Sequence, residues 1–354
     1  MSPHRTLRLV VFGIALLPMA VTGKALAGRN DLKLINLCPL ATTSALNVQE
    51  CSWVKRDANG LITGVAIDGE GRSNFRSLMS ELGVVLAPRI PMPADTIGFA
   101  GFMVTGELGF TQISNNKSFW NGVSAVSPQA VDSSRPDATL TTMGFFLRKG
   151  LWWPIPALEV GGGVVNLLDS QMLSWQGYAK VALHEGFHDW PVPSLSVRAA
   201  MSYVTGTDQV NLRTNTFDVL ISKGFGLLKT ARLEPFGGLS VILISASGKP
   251  IDFTPLCDAH AVAQAAPGQQ VSDHCTIAQS GTTNDLLANA AFPGQELITR
   301  YRVFGGAKLK FGVLAIIAQY ELYQAGHSRD DNVTPAVDQS GQQSAFSLSA
   351  GLNY

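Results

Sequence analysis

Ten runs of this sequence alternate apolar with polar or small side chains at every second residue, and that period of two constrains the fold more than any other feature. In 175–183, Trp175, Gly177, Ala179, Val181 and Leu183 share one face, and Gln176, Tyr178, Lys180 and Ala182 share the other. In 194–204, Leu195, Val197, Ala199, Met201 and Tyr203 stand opposite Ser194, Ser196, Arg198 and Ser202. Similar runs lie near 97–113, 138–148, 156–168, 171–185, 194–206, 212–223, 230–246, 297–309, 312–325 and 343–354. A tilted strand crosses a bilayer in roughly 9–11 residues, whereas strands of soluble domains average about 5–6. The alternation therefore predicts an all-β fold over 97–354: a closed antiparallel up-and-down transmembrane barrel of about ten strands, with one face toward hydrocarbon and the other toward a polar interior.

The connections support that reading. The long ones, 114–137, 247–296 and 326–342, all fall at one end, and the short ones fall at the other apart from two. Outer loops of such barrels are long and inner turns short. Charge is sparse and balanced, with 26 basic and 26 acidic residues, so no nucleic-acid partner is expected. Mean hydropathy is positive, which a soluble domain could show and so could a barrel whose outer surface faces lipid. At the C-terminus, Phe346, Leu348, Ala350, Leu352 and Tyr354 are apolar at every second position. This pattern resembles the C-terminal signature of Gram-negative outer-membrane β-barrel proteins. The resemblance implies a cell outer membrane location, outer-membrane lipid as surroundings, and recognition of Phe346, Leu348, Leu352 and Tyr354 by the barrel assembly machinery.

Residues 1–27 read as a signal peptide: Arg5 and Arg8, an apolar run over 9–21, then Ala25-Leu26-Ala27. Residues 28–96 form a separate N-terminal segment with a Cys38–Cys51 loop, a short strand at 61–67 and a helix over 74–82, capped by Ser73 and stopped by Gly83. The segment is expected as a periplasmic inner-rim element or as a lumen plug, a layout similar to the fatty-acid transporter family of barrels, which carry N-terminal plugs. The alternative makes 61–67 and 84–90 two further strands, giving twelve. In an exported chain Cys257 and Cys275 also read as a disulfide, whose loop closure contributes about 3 kcal/mol. The rival reading is a zinc site with Asp258, His260, Asp273 and His274, but adjacent His274 and Cys275 make poor co-ligands.

His184-Glu185-Gly186-Phe187-His188 matches the H-E-x-x-H pattern of zinc metalloproteases. Zinc needs both histidines on one helical face. Here the motif ends a strand, where residues four apart stand roughly 13 Å from each other. Gly186, Pro191 and Pro193 further disfavour a helix, so the motif is read as a coincidence, without metal or catalysis.

The expected lumen-facing charges are Glu159, Lys180, Arg198, Asp218, Arg232, Glu234, Arg300, Arg302, Lys308 and Glu321. They read either as an internal salt-bridge network filling the barrel or as the lining of a small, somewhat basic channel. Trp152, Trp153, Trp175, Trp190, Tyr203, Tyr301, Tyr320 and Tyr323 are expected in interfacial girdles. The leading functional expectation is a passive pore or small-solute transporter, its solute unidentified, with no cofactor and no enzymatic activity. A non-conducting structural or surface-interaction barrel with a disulfide-stapled outer loop is the alternative. An outer-membrane hydrolase using Asp258, His260, Asp273 and His274 is disfavoured by the lack of a nucleophile elbow or carboxylate dyad.

Overall fold

The computed structural model describes residues 28–43, 48–58, 62–123, 136–153, 157–185, 192–228, 230–254, 285–326 and 336–354. The leader 1–27, the Cys257–Cys275 pair with its neighbouring Asp258, His260, Asp273 and His274, and also His188 and Trp190, lie outside the described residues.

Ten long strands form the barrel: β1 (Phe102–Gln112), β2 (Thr139–Leu151), β3 (Leu158–Leu167), β4 (Leu173–His184), β5 (Ser194–Thr205), β6 (Val210–Ser222), β7 (Ala231–Gly248), β8 (Gln295–Phe311), β9 (Leu314–Tyr323) and β10 (Gln343–Asn353). Each pairs antiparallel with the next, and β10 pairs with β1 from Ala345↔Thr111 to Asn353↔Met103, which closes the cylinder. A short strand, Phe225–Leu228, folds back on the start of β7. The expected ten strands are present. The two extra strands of the twelve-strand alternative are not: Ile62–Val65 pairs only with Val54–Arg56, and 84–90 contains no strand.

The alternation is realised as two faces. In β5, Ser194, Ser196, Arg198, Ala200 and Ser202 are buried, while Leu195, Val197, Met201 and Tyr203 are exposed. A continuous belt of exposed Leu, Val, Ile, Met and Phe surrounds the barrel, far more apolar surface than a water-soluble protein leaves uncovered. Phe99, Trp152, Trp153, Phe102, Phe311 and Tyr354 ring the end where β1 starts, and Phe110, Trp175, Tyr203, Tyr301, Tyr320 and Phe346 ring the other. From Tyr301 to Phe311 the strand runs about 33 Å, or about 25 Å of height at a tilt of about 40°, the thickness of a lipid-facing band. Tyr323 is a correction: it shares the inward phase of Glu321, is fully buried, and hydrogen-bonds Glu321.

The end holding the short turns 185–193, 223–230 and 312–313 is the inner end by the usual asymmetry of such barrels, and the long connections mark the outer end. The N-terminal segment does not rest at the inner rim. It starts at the outer mouth, where Asn30 Nδ2 donates to Leu168 O (2.8 Å), Leu34 N to Gln209 Oε1 (2.7 Å), and Leu32 bridges Val123. Two small hairpins follow, Leu40–Thr43 with Val48–Cys51 and Val54–Arg56 with Ile62–Val65, the first stapled by the Cys38–Cys51 disulfide (Cα–Cα 5.6 Å). Together these residues, 28–67, cap the mouth. Their core joins the throat through Trp53, which packs edge-on to Phe253 and Phe292 at 5.7 and 5.8 Å, and through Phe75, stacked on Phe292 at 4.7 Å.

Helix α1 (Gly69–Val85) then enters the lumen. It is longer than the expected 74–82. Asp68 is the N-cap, accepting from Gly71 N at 2.7 Å, and Gly71 is required because the Trp53 ring occupies the place of a Cβ, 2.1 Å away. Ser73 is therefore inside the helix, and Gly83 does not stop it. The helix ends at Leu86, just before Pro88, and 86–101 descends without regular structure to the inner end, interrupted by Pro88, Pro91 and Pro93.

Closure ends on an aromatic pair. Phe102 and Tyr354 exchange two backbone hydrogen bonds (3.0 and 2.9 Å) and stack their rings at 5.4 Å with planes 7° apart. Tyr354→Ala should cost about 1 kcal/mol from the lost stack and slow barrel closure, read as a lower unfolding temperature in heat-modifiable gel mobility. Unchanged mobility and insertion rate would show that closure does not use this pair.

Candidate functional site: the filled lumen

The lumen is occupied by the protein's own chain. From Gly71 to Ala94 every side chain except half-buried Arg72 is buried. The outer half of the filling is the helix. Along one stripe, Ser73 Oγ accepts from Val337 N (3.0 Å), Ser77 Oγ from Gln339 N (2.8 Å), and Ser80 Oγ meets Ser340 Oγ (3.0 Å). These bonds bind the β9–β10 connection to the plug. Glu81, fully buried, accepts from Trp120 Nε1 (2.8 Å), Ser114 N (2.9 Å) and Gly341 N (3.1 Å), and so ties two outer connections to one carboxylate. The helix's last carbonyls are satisfied by the wall: Thr214 donates to Gly83 O, and Ser174 and Gln176 to Leu86 O.

Below Leu86 the filling is a segment without regular structure whose prolines offer carbonyls without N–H groups, and the wall answers with cations. Arg302 donates to Pro88 O (3.2 Å), and Arg198 to Arg89 O (3.2 Å) and Ile90 O (2.7 Å). Arg148 donates to Pro91 O (3.1 Å), and Lys180 to Pro93 O (3.2 Å) and Asp95 O (2.8 Å). Where N–H groups return, carboxylates take over: Glu185 accepts from Thr96 N and Glu159 from Ile97 N, both at 3.0 Å. Ile90 adopts φ 43°, an unfavourable conformation for a β-branched residue, beneath the double grip of Arg198.

The same wall charges pair with one another. Lys180 meets Glu159 at 3.2 Å, and Tyr178 adds a bond to Glu159 at 2.6 Å. Asp218 is shared by Arg198 and Arg302 (2.9 Å to the latter) and by Ser240, and Arg302 also lies 3.6 Å from Glu321. Arg300 has five acceptors, on Ser80, Gln324, Ser340, Gly341 and Gln343. Glu234 is buried, accepts from Ser222 Oγ at 3.5 Å, and stands opposite half-buried Lys308 in the register. Arg232 departs from the expected lumen set: at the inner rim its side chain is 52 % exposed and reaches Asp95 at 3.2 Å, because the filling leaves the barrel there. Sequence reasoning passed over Glu107 and Arg148 on the wall and Arg89 and Glu81 on the plug. The first two share the inward phase of their strands, which Leu108 and Leu147 on the opposite face would have revealed.

His184 ends β4 as a strand residue, and the Glu185 carboxylate is committed to Thr96. Among the described residues no group of three or more His, Cys, Asp and Glu could hold a metal ion.

Asp218→Ala leaves buried Arg198 without its carboxylate and Arg302 with Glu321 alone, and should cost about 3–5 kcal/mol, measured by urea unfolding of the refolded barrel in micelles. His184→Ala should change stability by about 0.5 kcal/mol or less and leave metal content unchanged. Stoichiometric zinc lost in that variant would restore the metalloprotease reading.

No family model matches this chain, and no curated protein matches its sequence. Among solved structures it is similar to Ail of Yersinia pestis (9 % identity, 72 % of this chain and 99 % of that one, TM-score 0.24). It is also similar to the N-terminal β-barrel domain of Pseudomonas aeruginosa OprF (10 % identity, 73 % and 99 %, TM-score 0.24). The translocator domain of autotransporter NalP from Neisseria meningitidis shares 11 % identity over 73 % of this chain and 88 % of that one, with a TM-score of 0.32. The closed register and the apolar outer face define the barrel independently of these likenesses.

Proposed function

We propose that this chain is a sealed outer-membrane barrel that presents its N-terminal cap outside the cell for contact with a partner, without solute conduction and without catalysis. The observation that carries this reading is the burial of 71–94 inside the cylinder, with the wall's charges spent on that segment's backbone. A passive pore needs those charges free to meet a solute; here they hold the plug. The plug is fixed at both ends, above by the cap and the outer connections and below by its continuation into β1. The chain therefore crosses the membrane an eleventh time, through its own lumen, and 28–67 stands on the outer side. Lipid faces the apolar belt, and the exposed residues Phe346, Leu348, Leu352 and Tyr354 offer an outward stripe to the assembly machinery.

Two measurements test this. The refolded protein in a planar bilayer should show no steady conductance; a stable open channel would return the function to a pore. An epitope inserted after Asp57, in the turn of the second cap hairpin, should be reached by antibody on intact cells, whereas one at Gly312 should require permeabilisation. The reverse pattern would invert the topology and remove the display role.

A further inference from the structure

The outward phase of the ten strands is almost free of charge. Among the described residues it carries two charged side chains, Lys149 near the inner end and Arg213 near the outer end. Lys149 donates to Ala100 O at 3.2 Å. Arg213 is exposed and makes no hydrogen bond or ion pair with any described residue.

Arg213 stands in a polar patch that interrupts the apolar belt. Along the outward phase of β6, Asn211, Arg213 and Asn215 precede Phe217, Val219 and Ile221. On β7, Ser247 stands opposite Asn211 and Ser245 opposite Arg213, with no shift of register. Cross-strand neighbours are about 5 Å apart and same-face neighbours on one strand about 6.6 Å. These four side chains therefore start from one rectangle of about 5 by 7 Å, which an arginine side chain can span. Asn211, Ser245 and Ser247 also lack a hydrogen-bond partner among the described residues. The next charges toward the outer end are Asp208 and Lys249, and the Lys249 ammonium donates to Thr207 O at 3.0 Å. Both lie four or five residues further along, about 13 Å or more, too far to neutralise Arg213. On the lumen side, Asp218 is already held by Arg198 and Arg302.

The register sets the height of the patch. Tyr203 of the outer girdle pairs with Arg213, whereas Tyr301 pairs with Val241 and Val241 with Phe217. The girdle thus steps four residues along the strands while crossing three strand spacings, about 13 Å against about 14 Å. That slope is the strand tilt of about 40° usual in such barrels. On β6 the girdle therefore falls a third of the way from Arg213 to Phe217, between Arg213 and Asn215. The rectangle lies just outside it, facing lipid headgroups. A solitary arginine could simply reach up to water. Three further unpartnered amide and hydroxyl groups around it suit a ligand with several oxygens, and a guanidinium fork takes phosphate oxygens in pairs.

We infer that Arg213, with Asn211, Ser245 and Ser247, binds the phosphate headgroup of an outer-leaflet lipid on the outward face of β6 and β7. The face is continuous with the lipid-covered belt, and its charge is opposite to that of the phosphate. The site goes beyond the display role and depends on the barrel wall, not on the plug.

Phosphatidic acid is the probe. Native mass spectrometry from micelles reads the lipid retained as phosphatidic acid or phosphatidylcholine is titrated in. One phosphatidic acid should bind saturably, about tenfold tighter than phosphatidylcholine. Arg213→Gln should weaken it about tenfold. Arg213→Lys, which keeps the charge but loses the fork, and Asn211→Leu, which keeps every charge, should each weaken it about threefold. All three variants should keep the parent's heat-modifiable gel mobility, so that lost lipid is not lost fold. Equal affinity for the two lipids, or an Arg213→Gln variant as tight as the parent, would overturn the site. Inorganic phosphate in large excess should not displace the lipid; displacement would reveal a free-anion site and overturn the lipid assignment. A conducting barrel refutes the sealed display reading and leaves this titration unchanged, whereas an inverted epitope pattern overturns the outer-leaflet assignment as well.

Discussion

The structure depends on one exchange: a proline-rich segment that offers carbonyls and few N–H groups is buried by a wall that offers guanidiniums and ammoniums. An irregular segment inside a closed barrel has no strand beside it, and a buried unsatisfied carbonyl is costly. Pro88, Pro91 and Pro93 remove three donors from the segment, so that acceptors dominate, and Arg302, Arg198, Arg148 and Lys180 supply the matching donors. The prolines and the cations are two halves of one arrangement, although they lie up to 214 residues apart in the chain.

Above this polar throat the barrel is sealed in a different way. Trp53, Phe75, Phe253 and Phe292 form a small aromatic core like that of a water-soluble domain, and the disulfide staples the hairpin over it. Hydrophobic burial holds the cap and charge-assisted hydrogen bonds hold the throat. The two seals therefore respond to different conditions: salt and charge substitution act on the throat, and reduction of Cys38–Cys51 acts on the mouth. Glu81 links them, because its carboxylate sits in the throat helix while its donors come from the outer connections.

The barrel was legible because each strand carries its own record: Leu195, Val197 and Tyr203 against Ser196, Arg198 and Ser202 specify two faces without reference to any neighbour. The C-terminal stripe ending at Tyr354 was legible for the same reason. The plug was not. The helix extends beyond its expected limits because Asp68 caps it more than a turn earlier, with Gly71 leaving room for the Trp53 ring, and because Gly83, which would weaken an isolated helix, fits against Ile244 of the wall. The side from which the segment enters depends on bonds such as Leu34 to Gln209, between residues 175 apart, for which no local pattern exists. The lumen charges were visible as inward-phase residues, and their mutual ion pairs follow from that phase, but their other partners are backbone carbonyls, and a carbonyl leaves no mark in a sequence. Arg232 shows the converse failure: its phase is inward, yet it lies where the filling has already left the barrel.

Strand number explains why a filling is needed at all. About eight strands enclose a space that side chains alone can occupy, and each added strand widens the cylinder. Ten leave room beyond the reach of the wall residues but less than an open channel of porin size. One helix, about 10 Å across with its side chains, approximates that surplus when one of its faces is built of small residues. Ser73, Ser77, Ser80 and Gly83 provide that face, close enough to the wall and to the β9–β10 connection for serine hydroxyls and the Ile244 side chain to reach across. Further down, where the helix has ended and the chain is thinner, the wall residues lengthen to Arg148, Lys180, Arg198 and Arg302. Small helix residues above and long wall cations below fill the same cylinder, with Arg300 reaching Ser80 at the helix level as the exception, and a ten-stranded barrel closed by its own N-terminus must match filling to wall in this way.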